Sequence, residues 1–106
     1  MNGASIDLSQ DDLKTLLKLL DHYLPEAEVW AFGSRVQGNA RPFSDLDLAI
    51  IQEAPIDFPT KAELRYRLSE SSIPIKIDLV EWSRMPPAFQ EAIRSNHLRL
   101  KSARLA

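Results

Sequence analysis

Three short apolar stretches set the limits on this fold: Glu28–Phe32, Leu46–Ile51 and Ile75–Val80. Each is five or six residues long and is closed off by turn formers such as Gly33-Ser34 and Pro55. Runs of that length between breakers make strands rather than helices. Glu28–Phe32 is apolar on both faces and so belongs in the interior of a sheet. Elsewhere the period changes. Leu13, Leu16, Leu17, Leu20, Tyr23 and Leu24 recur at the spacing of an amphipathic helix. Ser9 suits its N-cap, Asp11 and Asp12 fall in its first turn and Pro25 stops it, which predicts a helix over 10–24. A capping box from Thr60 to Glu63 opens a second helix, with Leu64 and Leu68 on its apolar side. Pro86-Pro87 opens a last one, which carries Phe89, Ala92, Ile93 and Asn96 on one side.

Helices and strands thus alternate, and the pattern predicts an α/β or α+β arrangement around a sheet of three or four strands. The polar segment 35–44, broken by Pro42, either carries a short helix in a crossover or returns antiparallel. From Arg94 onward there is no acid, while Arg94, Arg99, Lys101 and Arg104 are basic. With Leu98, Leu100 and Leu105 between them, this tail is expected to dock on an acidic partner rather than to be a solvated end.

The 106 residues suit one domain spanning 1–106, and 44% hydrophobic side chains can bury a core. The absence of cysteine excludes disulfides, a thiolate zinc site and a thiol nucleophile. No apolar run approaches the roughly 20 residues that cross a bilayer. The first residues lack the basic and apolar regions of a signal peptide, so a cytoplasmic location without a membrane partner is expected. A net charge of -2 gives no footprint for stable, direct nucleic-acid binding.

The chemistry sits where carboxylates interrupt apolar strands. Asp45 and Asp47 open the second stretch and, at i and i+2, share a face. Asp78 lies in the middle of the third. Charge in such a strand is costly unless it is paired or bound to a cation. Lys76 shares the face of Asp78 and offers one pairing. Convergent carboxylates repel one another, however, and hard oxygen ligands without nearby His or Cys suit Mg²⁺ or Mn²⁺. Gly33-Ser34 follows the first strand directly, and a glycine at a turn lets a phosphate approach backbone N–H groups. Phosphate at one end and metal-binding carboxylates at the other describe a nucleoside triphosphate site.

Gly33-Ser34, ten residues, then Asp45-Leu46-Asp47 resembles the signature of the polymerase-β-like nucleotidyltransferases. The stretch VWAFGSRVQGNARPFSDLDLAII is similar to the minimal members of that family. Asp78 matches their third carboxylate. The resemblance implies a small mixed sheet with helices packed mainly on one face. It implies transfer of AMP from ATP to a hydroxyl, with release of pyrophosphate. Asp45 and Asp47 would hold two Mg²⁺ ions, with Mn²⁺ as the substitute. Asp78 would bind the catalytic ion and help deprotonate the acceptor, and Gly33 and Ser34 would hold the β- and γ-phosphates. Minimal members are commonly paired with an all-helical HEPN RNase toxin, act as its antitoxin, and in some cases add AMP units to it. Two other readings stand beside this one: an antitoxin that acts by binding alone, and a small-molecule nucleotidyltransferase.

The family often carries a second arginine at the position of Gln37, a charge that is missing here or replaced by Arg41, while Gly38 is retained. Arg35 is read either as a phosphate ligand or as an exposed salt-bridge partner, and Ser44 either as a nucleotide-binding residue or as a turn residue. Trp30 and Trp82 are expected to pack rather than to stack on a base, and His22 and His97 receive no role.

Overall fold

The computed structural model describes residue 6, residues 8–37 and residues 44–103. Gly38, Arg41, Pro42, Arg104 and Leu105 lie outside the described residues. The chain runs α1 (Gln10–Tyr23), β1 (Glu28–Phe32), α2 (Ser34–Gln37), β2 (Leu46–Ile51), α3 (Phe58–Glu70) and β3 (Ile77–Glu81). A 3₁₀ turn (Trp82–Arg84), α4 (Pro87–Ser95) and β4 (Leu98–Lys101) complete it. Among the described residues no helix is long and apolar enough to cross a membrane.

The strands form one mixed sheet in the order β3-β2-β1-β4. β1 pairs antiparallel with β2, so the segment between them is a return that contains the single turn of α2, not a crossover. β2 and β3 are parallel, joined through α3, and β1 and β4 are antiparallel. The α+β architecture with a mixed sheet is therefore as expected, at the upper of the two strand counts.

Alternation along each strand divides the sheet into two faces. One face supplies Val29, Ala31, Leu46, Leu48, Ile50 and Leu79 to the main core, where they meet Leu16 and Leu20 of α1 and Leu64 and Leu68 of α3. The other face carries Trp30, Phe32, Ala49, Ile51 and Val80, against which Met85 and Ile93 pack. Two long helices thus lie on one side and α4 covers part of the other, in keeping with helices mainly on one face.

Ser9 caps α1 as expected, its hydroxyl accepting from the Asp12 N–H at 3.1 Å. The capping box at Thr60 is corrected by three residues: Asp57 is the N-cap, its carboxylate accepting the Thr60 N–H at 3.1 Å, and Thr60 already lies in the first turn. An aspartate is the better acceptor there, and Pro59 near the helix start loses no hydrogen bond. The third strand is also displaced. Ile75 and Lys76 precede the ladder, and the strand extends to Glu81.

The larger correction concerns the tail. Leu98–Lys101 is an edge strand on β1, and Leu100 packs against the main core. The Lys101 ammonium donates to the carbonyl oxygen of Leu24 at 3.1 Å and to that of Ala27, just beyond the C-terminal end of α1. A cation suits that negative helix end. Leu98–Lys101 is thus part of the sheet rather than a free tail.

Candidate active site

The ladder registers place the acids. Phe32 of β1 is opposite Asp47 of β2, and Asp47 is opposite Asp78 of β3. These three side chains form one row across the sheet, on the face opposite the main core. Asp45, two residues before Asp47, is exposed at the start of β2, while Asp47 and Asp78 are half-buried. Burial pushes the Asp47 carboxyl above the usual carboxylate range, and the neighbouring charges of Asp78 and then Asp45 add to the shift. Asp78 and Asp45 therefore both lie close enough to act on Asp47.

Gly33 joins β1 to α2 with φ of +87°, a conformation that side-chain-bearing residues rarely adopt. A Cβ there would meet the Asp47 Oδ2 at 2.6 Å. Glycine is thus required twice over, by the backbone and by the carboxylate lying against it. The turn is short: the Val36 N–H returns to the Gly33 carbonyl at 3.1 Å, and Ser34 begins α2 beside the carboxylate row.

Arg35 is only 6% exposed, which removes the reading as an exposed salt-bridge partner. Its Nε donates to the Ser44 carbonyl at 2.9 Å. That bond ties the turn after β1 to the entrance of β2, and so fixes Gly33-Ser34 relative to Asp45 and Asp47. Ser44 takes part through its backbone oxygen. Lys76 is exposed and, among the described residues, forms no ion pair with Asp78. Its backbone instead continues the sheet, the carbonyl accepting from the Leu46 N–H at 2.9 Å.

Among the described residues no three His, Cys, Asp or Glu side chains are gathered tightly enough to hold a metal ion by themselves. The donor chemistry nonetheless fits a hard divalent cation. Carboxylates of one charge crowd a half-buried face, and a cation with borrowed phosphate oxygens would offset both the burial and the repulsion that raise Asp47.

Trp30 and Trp82 pack as expected. Their rings meet edge to face with centroids 5.2 Å apart, and the Arg94 guanidinium lies 5.2 Å from the Trp82 ring centroid. His97 has a structural place that the sequence did not reveal. It stacks on Trp30 at 3.8 Å, and its Nδ1 lies 3.0 Å from the Ile93 carbonyl at the end of α4. His22 meets Tyr23 edge to face, with ring centroids 4.7 Å apart.

The family model for polymerase β nucleotidyltransferases matches residues 14–104. The chain belongs to this family. It is 43% identical over 91 residues to the probable protein adenylyltransferase MntA of Haemophilus influenzae, covering 86% of this chain and 80% of that protein. Its fold is similar to that in a crystal structure of a toxin–antitoxin with AMP-PNP, with a TM-score of 0.72, 24% identity, and coverage of 87% of this chain and 74% of the other. It is also similar to a chain in the structure of a tri-AMPylated Shewanella oneidensis HEPN toxin in complex with MNT antitoxin. There the TM-score is 0.65 at 21% identity, over 89% of this chain and 72% of the other.

One lining element escaped the sequence reading. Arg65 and Ser69 of α3 border a cavity that also reaches Lys76 and Asp78. Both lie on the polar side of a helix whose apolar stripe was recognised, and nothing in spacing alone says that this side faces Asp78.

Proposed function

We propose that this chain transfers AMP from ATP to a hydroxyl of a partner protein, and that the partner is a HEPN-family toxin which it neutralises as an antitoxin. The 43% identity to a probable protein adenylyltransferase carries this reading. The alignment of Asp47 with Asp78 beside Gly33 supports it.

In this reading Asp45 and Asp47 would hold two Mg²⁺ ions, or Mn²⁺ in their place, and Asp78 would help to hold the catalytic one. The ions, when bound, supply neutralisation of the triphosphate charge. Gly33 and Ser34 receive the β- and γ-phosphates, where the missing Cβ leaves room beside the Asp47 carboxylate. Arg35 orients this corner through the Ser44 carbonyl and adds positive charge beneath it. The acceptor oxygen attacks the α-phosphorus, the bond to the β-phosphate oxygen breaks, and pyrophosphate departs. The acceptor proton passes to the Asp78 carboxylate.

The test is to incubate the chain with ATP, Mg²⁺ and the product of the neighbouring gene, and to weigh the partner by mass spectrometry. The partner should gain whole adenylyl masses, and the Asp45→Asn and Asp47→Asn variants should abolish the gain. A partner bound tightly but never modified, and neutralised equally by Asp47→Asn, would establish binding alone. AMP transferred to a small molecule without any complex would leave only the enzyme class.

A further inference from the structure

At the free edge of β3, where the row of acids ends in Asp78, a cavity of about 300 Å³ opens between that strand and the C-terminal half of α3. Its floor includes Leu68 and Ile75, and its polar wall is Arg65, Ser69, Lys76 and Asp78. The volume is at the lower end of small-ligand sites. The wall is cationic where it meets the candidate proton acceptor. Arg65 and Lys76 are both exposed, and among the described residues neither is paired with an acid. Lys76 is held in register, because its carbonyl accepts from the Leu46 N–H, between Asp45 and Asp47 in sequence.

A side-chain hydroxyl carries no charge and needs no cation to be received. A phosphodiester does, and a guanidinium with an ammonium is a suitable pair of donors for one. An acceptor acquires a phosphodiester once it has been adenylylated, and one similar fold was solved with a tri-AMPylated toxin. Resting on the protein-adenylylation reading above, we propose that this cavity holds the phosphodiester of an adenylyl group already on the acceptor, with Arg65 and Lys76 as its ligands. This places a ribose hydroxyl of that group towards Asp78 for the next transfer. That hydroxyl oxygen attacks the α-phosphorus of a new ATP, the α–β anhydride bond breaks, pyrophosphate leaves with the bonding pair, and the hydroxyl proton goes to Asp78. Arg65 and Lys76 thus favour extension of a started chain over its first link.

The experiment follows the adenylyl ladder on the partner in the complex over time, for wild type and for the Arg65→Ala/Lys76→Ala variant. Thermal melts confirm that the variant folds, as expected for exposed positions. The ratio of the second to the first addition rate should fall at least tenfold. In parallel, the dinucleotide ApA is titrated into the chain by calorimetry at two salt concentrations. Its affinity should drop at least tenfold in the variant, with a shallower salt dependence. Equal slowing of both additions would show that the two cations act only on Asp78 or on ATP, and would overturn the proposal. So would an unchanged ratio, or a wild type that stops after one adenylyl group. Extension of ApA itself without the partner would assign the cavity to nucleic acid instead. No addition by wild type at all would remove the adenylylation reading, a result distinct from a ladder that stops at one.

Discussion

Replacing Gly33 with alanine tests the tightest packing in the candidate site. The backbone there has φ of +87°, and an alanine held in the left-handed region costs roughly 1–2 kcal/mol. The stiffer unfolded chain returns about 0.4–1 kcal/mol. The new methyl would lie 2.6 Å from the Asp47 Oδ2, where ordinary contact begins at 3.4 Å, so the carboxylate must retreat by about 0.8 Å. It retreats against Asp78, whose charge already raises the Asp47 pKa. A further cost of about 0.5–1 kcal/mol for crowding brings the net destabilisation to roughly 1–2 kcal/mol. For a domain of this size that corresponds to a melting temperature lower by about 5–15 °C. A carboxylate displaced by nearly 1 Å would reduce transfer by about 100-fold. Thermal melts of Gly33→Ala in the wild-type and Asp47→Ala backgrounds separate the two costs. In the second background the crowding cost should vanish and only the backbone cost remain. An equal loss in both backgrounds would refute the contact with Asp47. No loss in either would refute the left-handed turn.

The folded chain holds the Asp47 proton to higher pH than the unfolded chain does, so its stabilising contribution is complete below the ordinary carboxylate range and is lost as pH rises through the raised folded value. Asp47→Asn removes that loss and should melt a few degrees above wild type at neutral pH without ligands, the difference vanishing in strong acid; a variant that melts lower would make Asp47 a structural partner. Burial alone would raise Glu81, but hydrogen bonds from Lys61 and the Ile56 N–H, with the charges of Lys61 and Arg84, hold it below the usual range. Lys61→Met, which breaks the 2.7 Å pair to this buried carboxylate, should cost about 2–3 kcal/mol in urea melts at neutral pH and less as pH falls through the lowered value. Leu100→Asp should cost about 2 kcal/mol through the core, whereas exposed Arg99→Ala should change stability by less than about 0.5 kcal/mol; a stable Leu100→Asp that fails only to bind the partner would restore the docking role of the tail.

Periodicity found the elements whose burial is one-sided. The leucine stripe of α1 was legible because Leu16 and Leu20 point into one core and the helix face opposite is polar. β2 was legible because it is interior on both faces apart from its acids. β4 was hidden by charge. Leu98-Arg99-Leu100-Lys101 alternates with period two, the ordinary mark of a half-buried edge strand, but its basic residues suggested a binding tail. Lys101 in fact spends its charge on carbonyls just past the end of α1, a pairing that depends on residues more than seventy positions away in sequence. The strand order and the antiparallel return were illegible for the same reason, since pairing partners are set by the whole sheet. The acids and Gly33 were recognisable as a pattern. What the sequence did not carry was the distance between them, and with it the reason for Gly33, which is the Asp47 carboxylate itself.

The location of the acids follows from how the second face of the sheet is covered. Asp47 and Asp78 form one row, and the next row inward on that face is Ala49 opposite Val80. Met85, Ile93 and Trp82 cover this apolar row, which Trp30 of β1 continues beside Ala49, and the Gln90 side chain anchors the cover by donating to the Trp82 carbonyl at 2.9 Å. Had the cover extended one row further, two carboxylates would have been sealed against each other at a prohibitive desolvation cost. Because it stops there, both side chains stay half-buried, and the Asp78 charge adds to the effect of burial on the Asp47 carboxyl. The main core on the opposite face holds the strands rigid while they do so. A site that binds a polyphosphate with its counter-ions needs that intermediate condition, with charge too crowded to be content alone and a frame too stiff to let it spread.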